Sequence, residues 1–158
     1  PFPWQLHLVR HTPLGPFLVR GLNLFCKGAV RSCVTRKPMN AEVRAGYLRP
    51  YDSWANRIAV LRFVQDIPLR PGDPGYDLVT ETQDNLHRLT GMPMLIGWGL
   101  RDFVFDRHFL AEWERRFPAA EVHRFKDAGH YILEDAGEEI LPLVRKFLAE
   151  HPLPAAVS

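Results

Sequence analysis

A marked excess of either charge is lacking in this chain: Lys and Arg number 20 against 18 Asp and Glu, a formal net charge of +2. The basic residues are scattered through apolar sequence rather than gathered in a run, so no nucleic-acid footprint is present. No apolar stretch approaches the roughly 18 to 20 residues of a membrane span. Neither does a basic start followed by a short apolar segment open the chain, so a secretory signal is not indicated and a soluble, cytoplasmic protein is expected. Cysteine is nearly absent, with two in all. Cys26 and Cys33 would lie on one face of a helix about two turns apart, too far for an unstrained disulfide, and buried free thiols are expected. Glycine-rich phosphate loops and metal-ligand clusters are lacking too. His7 and His11 in "HLVRH" have the i, i+4 spacing of a metal site, but no glutamate adjoins the first histidine and no third ligand is near. Neither a metal nor a cofactor is expected.

What is present suits one folded core: 158 residues, 46% hydrophobic and 24% charged. The opening "PFPWQLHLV" is already as apolar as a core and has no initiator methionine, so the chain reads as cut from a longer one. Residues 1–54 are rich in Pro, Gly, aromatics and Arg. Leu18, Leu22, Phe25 and Cys26 recur there at helical spacing, which predicts short amphipathic helices joined by wide loops. "RPYDSWANRIAVLRFVQDIPL" predicts a turn and a helix capped by Asp52 or Ser53, with Ile58, Leu61, Phe63 and Val64 on its apolar face. Tyr76 to Leu89 predicts another helix, closed by Thr90-Gly91 with Gly91 left-handed.

From Met92 the texture changes. "MPMLIGWG" has the pattern of a strand buried in a parallel sheet. "DRHFLAEWERRF" follows as a helix capped by Asp106, with Phe109, Leu110, Trp113 and Phe117 in one stripe, and "AEVHRF" as a second strand. Asp135 and Glu138 fit a capping box for a last helix whose stripe is Ile140, Leu141, Val144, Phe147 and Leu148. Pro142 sits inside that helix and should bend it or force an irregular turn.

Strand, helix, strand, helix is the order of an open α/β sheet, where ligands sit beyond the carboxyl ends of the strands. Two loops leave the strands at that edge. "GWGLRD" places Asp102 after the first strand, and "KDAGH" places His130 after the second. If the strands are parallel neighbours the two side chains meet, and a carboxylate on Nδ1 would fix the tautomer of His130 and stabilise its imidazolium. Asp102 would orient and His130 would act as the base; Asp106 and Asp127 are the fallback acids.

At these residues the sequence resembles the α/β-hydrolase superfamily. "PMLIGWGLRDFVFD" is similar to its acid-bearing strand and loop, and "FPAAEVHRFKDAGHYILEDAGEEILPLVRKFL" to its final strand, histidine and C-terminal helix. "RPYDSWANRIAVLRFVQDIPL" resembles the end of the cap in the haloalkane dehalogenase branch, and the wording most resembles the β-lactone decarboxylases of olefin biosynthesis. The resemblance implies an α/β fold, the C-terminal part of a hydrolase core with parallel strands and flanking helices at 71–158, preceded by a mostly helical cap at 1–70. It also implies a nucleophile on a G-x-[Ser/Asp/Cys]-x-G elbow. No such elbow occurs here, since Ser32, Ser53 and Ser158 lack the flanking glycines, as do all Asp and Cys.

The expectation is therefore a portion of an enzyme acting on a small apolar substrate. It would carry Asp102 and His130 but no nucleophile, would be inactive alone, and would have the N-terminal half of the same domain as its missing partner. Trp4, Phe25 and Trp54 are candidate substrate contacts in the cap. The resemblance favours an aspartate nucleophile. A serine esterase or lipase, an epoxide hydrolase, and a binding module that has lost its nucleophile are the alternatives.

Overall fold

The computed structural model describes residues 4–152, with side chains from His7 onward, so the side chain of Trp4 lies outside the described residues. The described residues divide into two units: one holds those up to Cys33 and 38–86, the other Val34–Lys37 and those from His87 onward.

The first unit is helical: α1 (Trp4–His11), α2 (Leu14–Pro16) running into a π-helical turn (Phe17–Gly21), α3 (Leu24–Ser32), α4 (Ala41–Leu48), α5 (Ile58–Gln65) and α6 (Tyr76–Asn85). Its core is small, with Val9 and Val19 meeting Leu61 and Val64 and the partly covered Val60 beside them. Gly15 is buried where a Cβ would stand 2.1 Å from the carbonyl oxygen of Val9, so no larger residue fits between α1 and α2.

The expected stripe of Leu18, Leu22, Phe25 and Cys26 is not formed. Val19, Cys26 and Val30 are buried, while Leu22 and Phe25 are 42% and 36% exposed. Two local events shift the phase. The π turn holds more residues than an α turn, and Asn23 then takes a left-handed conformation, φ 55°, before α3 starts. The side-chain amide of Asn23 donates to Tyr51 O at 3.1 Å, which fixes that break.

The helix expected from Asp52 or Ser53 begins later, at Ile58. Ser53 Oγ accepts from Asn56 N at 3.2 Å and Asp52 Oδ1 from the Asn56 amide at 2.8 Å, so both residues close a preceding turn instead. Leu61 and Val64 are buried as expected. Phe63 is 72% exposed, because only the i, i+3 pair of that set faces the core. Helix α6 runs into a 3-10 turn at Leu86–Leu89, and the left-handed glycines are Gly72 and Gly75 before it rather than Gly91 after it.

The second unit carries a parallel pair, β1 (Leu95–Gly99) and β2 (Glu121–Phe125), in register from Leu95↔Glu121 to Gly99↔Phe125. Between them α7 (Arg107–Arg116) makes the crossover, and α8 (Ile132–Glu150) follows β2 and packs on β1. Strand β1 is half-covered rather than fully buried, with Gly97 exposed and Gly99 buried at its end.

Asp106 caps α7 as expected, with Oδ1 accepting from His108 N at 2.9 Å. Of its predicted stripe Leu110 and Phe117 are buried, Trp113 stacks on Phe117, and Phe109 is exposed. The unit's core is Phe125, Ala128 and Ala136, flanked by Ile132, Ile140 and Leu143 of α8. Within the predicted α8 stripe, Leu141 and Leu148 face outward. Nor is the capping box present, because Asp135 lies in the first turn and its carboxylate binds other partners. The helix is interrupted at Ala136 (φ −133°, ψ 19°) and not at Pro142 itself.

Candidate active site

The parallel register brings the last residues of β1 and β2 side by side, so the loops that leave them start at one edge. Pairing continues past the strands: Leu100 N donates to Phe125 O and Arg101 N to Ala128 O, each at 2.9 Å. Gly99 is obligatory here. A Cβ on it would stand 2.5 Å from Gly129 O and 2.6 Å from Ala128 O, so a larger residue would push the two loops apart.

Out of this junction the chain turns at Asp102, whose amide donates to Gly99 O. Its carboxylate has two separate duties. Oδ1 accepts from Val104 N at 2.7 Å and Phe105 N at 2.9 Å, closing the loop on itself. Oδ2 stands 2.9 Å from His130 Nδ1. A carboxylate there can only accept, so Nδ1 carries the hydrogen and Nε2 is the nitrogen available to exchange a proton. Asp102 is the more covered partner, with its side chain 10% exposed against 25% for His130. An anchored, desolvated acid behind a reachable imidazole is the arrangement proton transfer requires.

The other acids near this edge are committed elsewhere. Asp106 caps α7, and its carboxyl is held low by the His108 amide and ring. Asp127 pairs with the Arg36 guanidinium at 2.8 Å, which lowers its carboxyl in turn.

Three aromatic rings surround His130: Phe105 at 5.5 Å, Tyr131 at 5.8 Å and Phe103 at 6.5 Å between centroids. Phe103 and Phe105 are exposed, so the approach to the imidazole is apolar. Neither is marked by periodicity in the sequence; their position in the Asp102 loop is the signal that could have found them. A cavity of about 370 Å³ lies at the opposite, amino end of the strands, lined by Met92, Met94 and Phe117 among others, and it does not include the pair.

Of the residues singled out in the sequence, Asp102 and His130 are brought together. Phe25 and Trp54 belong to the helical unit, where the Arg20 guanidinium lies 4.4 Å over the Trp54 ring. Cys26 and Cys33 are buried and not joined in a disulfide, and burial raises the Cys26 thiol. His7 and His11 stack at 5.7 Å. No group of three potential metal ligands occurs among the described residues. No helix among them is long and apolar enough to cross a membrane.

No protein-family model matches the chain. It is 50% identical over 150 residues to a cis-3-alkyl-4-alkyloxetan-2-one decarboxylase of Shewanella oneidensis, covering 95% of this chain and 47% of that protein. A protein of the same name from Xanthomonas campestris pv. campestris is 46% identical, over 97% of this chain and 51% of its own length. The chain thus spans about half the length of the curated relatives it matches. Among solved structures, the haloalkane dehalogenase DbeA from Bradyrhizobium elkani aligns with a TM-score of 0.83 at 21% identity, covering 93% of this chain and 50% of that one. DatA from Agrobacterium tumefaciens aligns at 0.76 with 19% identity, again over 93% and 50%. The fold is therefore that of the C-terminal part of a haloalkane dehalogenase-type α/β-hydrolase, and the relatives by sequence are decarboxylases that act on a β-lactone, as the resemblance implied.

Proposed function

We propose that this chain supplies the acid and base of an α/β-hydrolase-fold enzyme, with Asp102 orienting and His130 handling the proton, and that a carboxylate nucleophile comes from sequence outside it. The observation that carries the reading is the 2.9 Å contact of His130 Nδ1 with an Asp102 already locked by two backbone amides at the carboxyl edge of parallel strands. A histidine that only packed on Tyr131 would not need an anchored, nine-tenths covered carboxylate behind it.

The substrate we assign is the one in the relatives' name, a β-lactone with two alkyl arms. The exposed rings of Phe103 and Phe105 beside His130 suit alkyl chains better than a polar ester. In this reaction the enzyme carboxylate attacks the ring carbon bearing the oxygen. The ring C–O bond breaks, leaving an enzyme ester on one carbon and a free carboxylate on its neighbour. The bond to that carboxylate then gives its electron pair to the new C=C, the ester C–O pair returns to the enzyme carboxylate, and carbon dioxide leaves. No net proton is consumed. His130, protonated on Nε2, passes that proton to the enzyme carboxylate as it departs and takes it back before the next attack, and Asp102 stabilises the imidazolium. No cofactor enters this scheme, and the chain by itself does not turn over.

The test uses the full-length protein with a cis-3,4-dialkyl β-lactone, a 1-haloalkane and an alkyl ester as parallel substrates. Alkene and carbon dioxide from the lactone alone are expected. Turnover of the ester through a serine acyl-enzyme would overturn the assignment.

A further inference from the structure

Asp135 has more hydrogen-bond partners than a helix-start carboxylate requires. It is buried, and its Oδ2 accepts from Gly129 N at 2.7 Å, one residue before His130. Both of its oxygens accept from Thr35 N at 3.0 Å, Oδ1 also accepts from Arg36 N at 3.0 Å, and Oδ2 accepts from Thr35 Oγ1 at 3.2 Å. Thr35 and Arg36 lie about a hundred residues away in sequence, in the short segment Val34–Lys37 that folds with the second unit.

The same two residues also grip the histidine loop directly. The Thr35 hydroxyl, whose one hydrogen is shared with Asp135 Oδ2, also reaches Asp127 O. The Arg36 guanidinium donates to Asp127 Oδ1 at 2.8 and 3.0 Å, to Asp135 O at 3.1 Å, and to Glu139. Each residue of the loop from Asp127 to His130 is therefore tied. Asp127 is held by Thr35 and Arg36, Ala128 O by Arg101 N, Gly129 N by Asp135, and His130 by Asp102. None of these ties except the last touches the imidazole, yet together they leave its backbone one position.

We infer that Asp135, with Thr35 and Arg36 as its bridge, is a positioning residue for His130, and that Val34–Lys37 belongs to the catalytic apparatus although it touches no reacting atom. The inference rests on the proposed role of His130. Burial alone would raise the Asp135 carboxyl, but the amides of Gly129, Arg36 and Thr35 outweigh it and hold it low, so the group is an anion at neutral pH. An amide in its place cannot serve both sides: one oxygen still accepts, and the NH₂ then faces the N–H groups of Gly129 and Thr35.

In the full-length enzyme, Asp135→Asn should lower kcat roughly ten- to hundred-fold with KM nearly unchanged, because a displacement of the base of order 1 Å acts on the reacting step. The readout that a merely structural role would not move is the Nδ1 proton of His130 in a ¹H NMR spectrum taken well below the melting temperature. In the variant it should shift and exchange faster although the fold persists. If Asp135→Asn does not fold, Arg36→Met decides, since it removes the guanidinium ties to Asp127, Asp135 O and Glu139 at a partly exposed site while the backbone amides of Thr35 and Arg36 stay on Asp135; it should lower kcat several-fold and disturb the same proton. A folded Asp135→Asn, or in its absence Arg36→Met, with unchanged kcat and an unchanged Nδ1 signal overturns the inference. His130→Gln, measured alongside, separates the two readings: if His130→Gln retains turnover, the role of His130 itself fails, and with it the premise.

Discussion

Each of the two units of this chain is stabilised internally by a different kind of force. Among the described residues of the helical unit the fully buried large side chains are Val19 and Val64, and its irregular turns are pinned by arginines that donate to carbonyls. Arg57 binds Tyr51 O and Asp52 O at 3.0 Å, and Arg10 binds Ile67 O and pairs with Asp73. In the strand-bearing unit one loop of four residues is fixed at every position by directed bonds, and two of the carboxylates involved, Asp102 and Asp135, are covered. Small-residue packing tolerates adjustment, whereas short charge-assisted bonds to backbone amides do not. The half with the directed bonds is the one that carries the proposed acid–base pair, as a site that must hold geometry within fractions of an ångström demands.

The largest effect should come from the pair itself, measured in the full-length protein. Asp102→Asn admits the wrong imidazole tautomer and should reduce turnover by about three to four orders of magnitude while thermal unfolding stays near that of the parent. His130→Gln should stop release and leave a covalent ester visible as a mass increase after exposure to the lactone. Near-normal turnover in Asp102→Asn would move the acid elsewhere and remove the functional contrast between the units.

Next come paired cavity and overpacking changes, one in each unit. Leu61→Ala removes a large part of the small helical core and should cost about 2–5 kcal/mol. Hydrogen exchange should show the loss in α1 and α5. Gly99→Ala should cost about 1–3 kcal/mol, because its Cβ meets two backbone oxygens that cannot swing aside. Its signature is different: turnover should fall out of proportion to stability, since the displaced carbonyls belong to the residues just before His130. If both variants lose stability and activity in the same ratio, the division of labour drawn above is wrong.

How much of this was legible in the sequence differs between the units for the same physical reasons. The β1, α7, β2, α8 order, the Asp106 cap and the Asp102–His130 encounter follow from local patterns that tertiary contacts reinforce. The helical unit misled because its phase is set by a π turn and by left-handed Asn23, neither of which hydrophobic periodicity registers. Phe63 and Phe25 are apolar at plausible positions yet exposed. The Asp135 network was misread as a capping box because its partners, Thr35 and Arg36, are a hundred residues distant and carry no motif. Short-range rules cannot see a bond whose other end is set by the fold.

Acid should act alike on one carboxylate anchor in each unit, and a substitution should separate them. Asp73 and Asp135 both have carboxyls held below the ordinary 3.8: Asp73 chiefly by the Leu69 amide and Arg10, Asp135 by three amides against its burial. For a depressed carboxyl the stabilisation is present above the unfolded value and disappears as pH falls through the folded one. The amides of Leu69 and Gly129 should therefore keep their protection at pH 5 and lose it below about pH 3.8. In Asp135→Asn the Gly129 amide should already exchange fast at neutral pH while Leu69 is unchanged. Simultaneous loss at both sites in that variant would mean that the two anchors do not act independently.

The smallest expected effect is a gain. Gly46 lies within α4, in the helical unit, and a Cβ added there meets nothing within 4 Å. Glycine inside a helix costs roughly 0.5–1 kcal/mol relative to alanine through the backbone entropy it loses on folding, so Gly46→Ala should stabilise by about that much. The same substitution therefore has opposite signs in the two units, favourable at Gly46 and unfavourable at Gly99, because open space surrounds one Cβ position and fixed carbonyl oxygens the other. Thermal melts of the two single variants measure this directly. A destabilised Gly46→Ala would show that α4 is held by contacts its exposed face does not reveal, and that the helical unit is less tolerant than its small core implies.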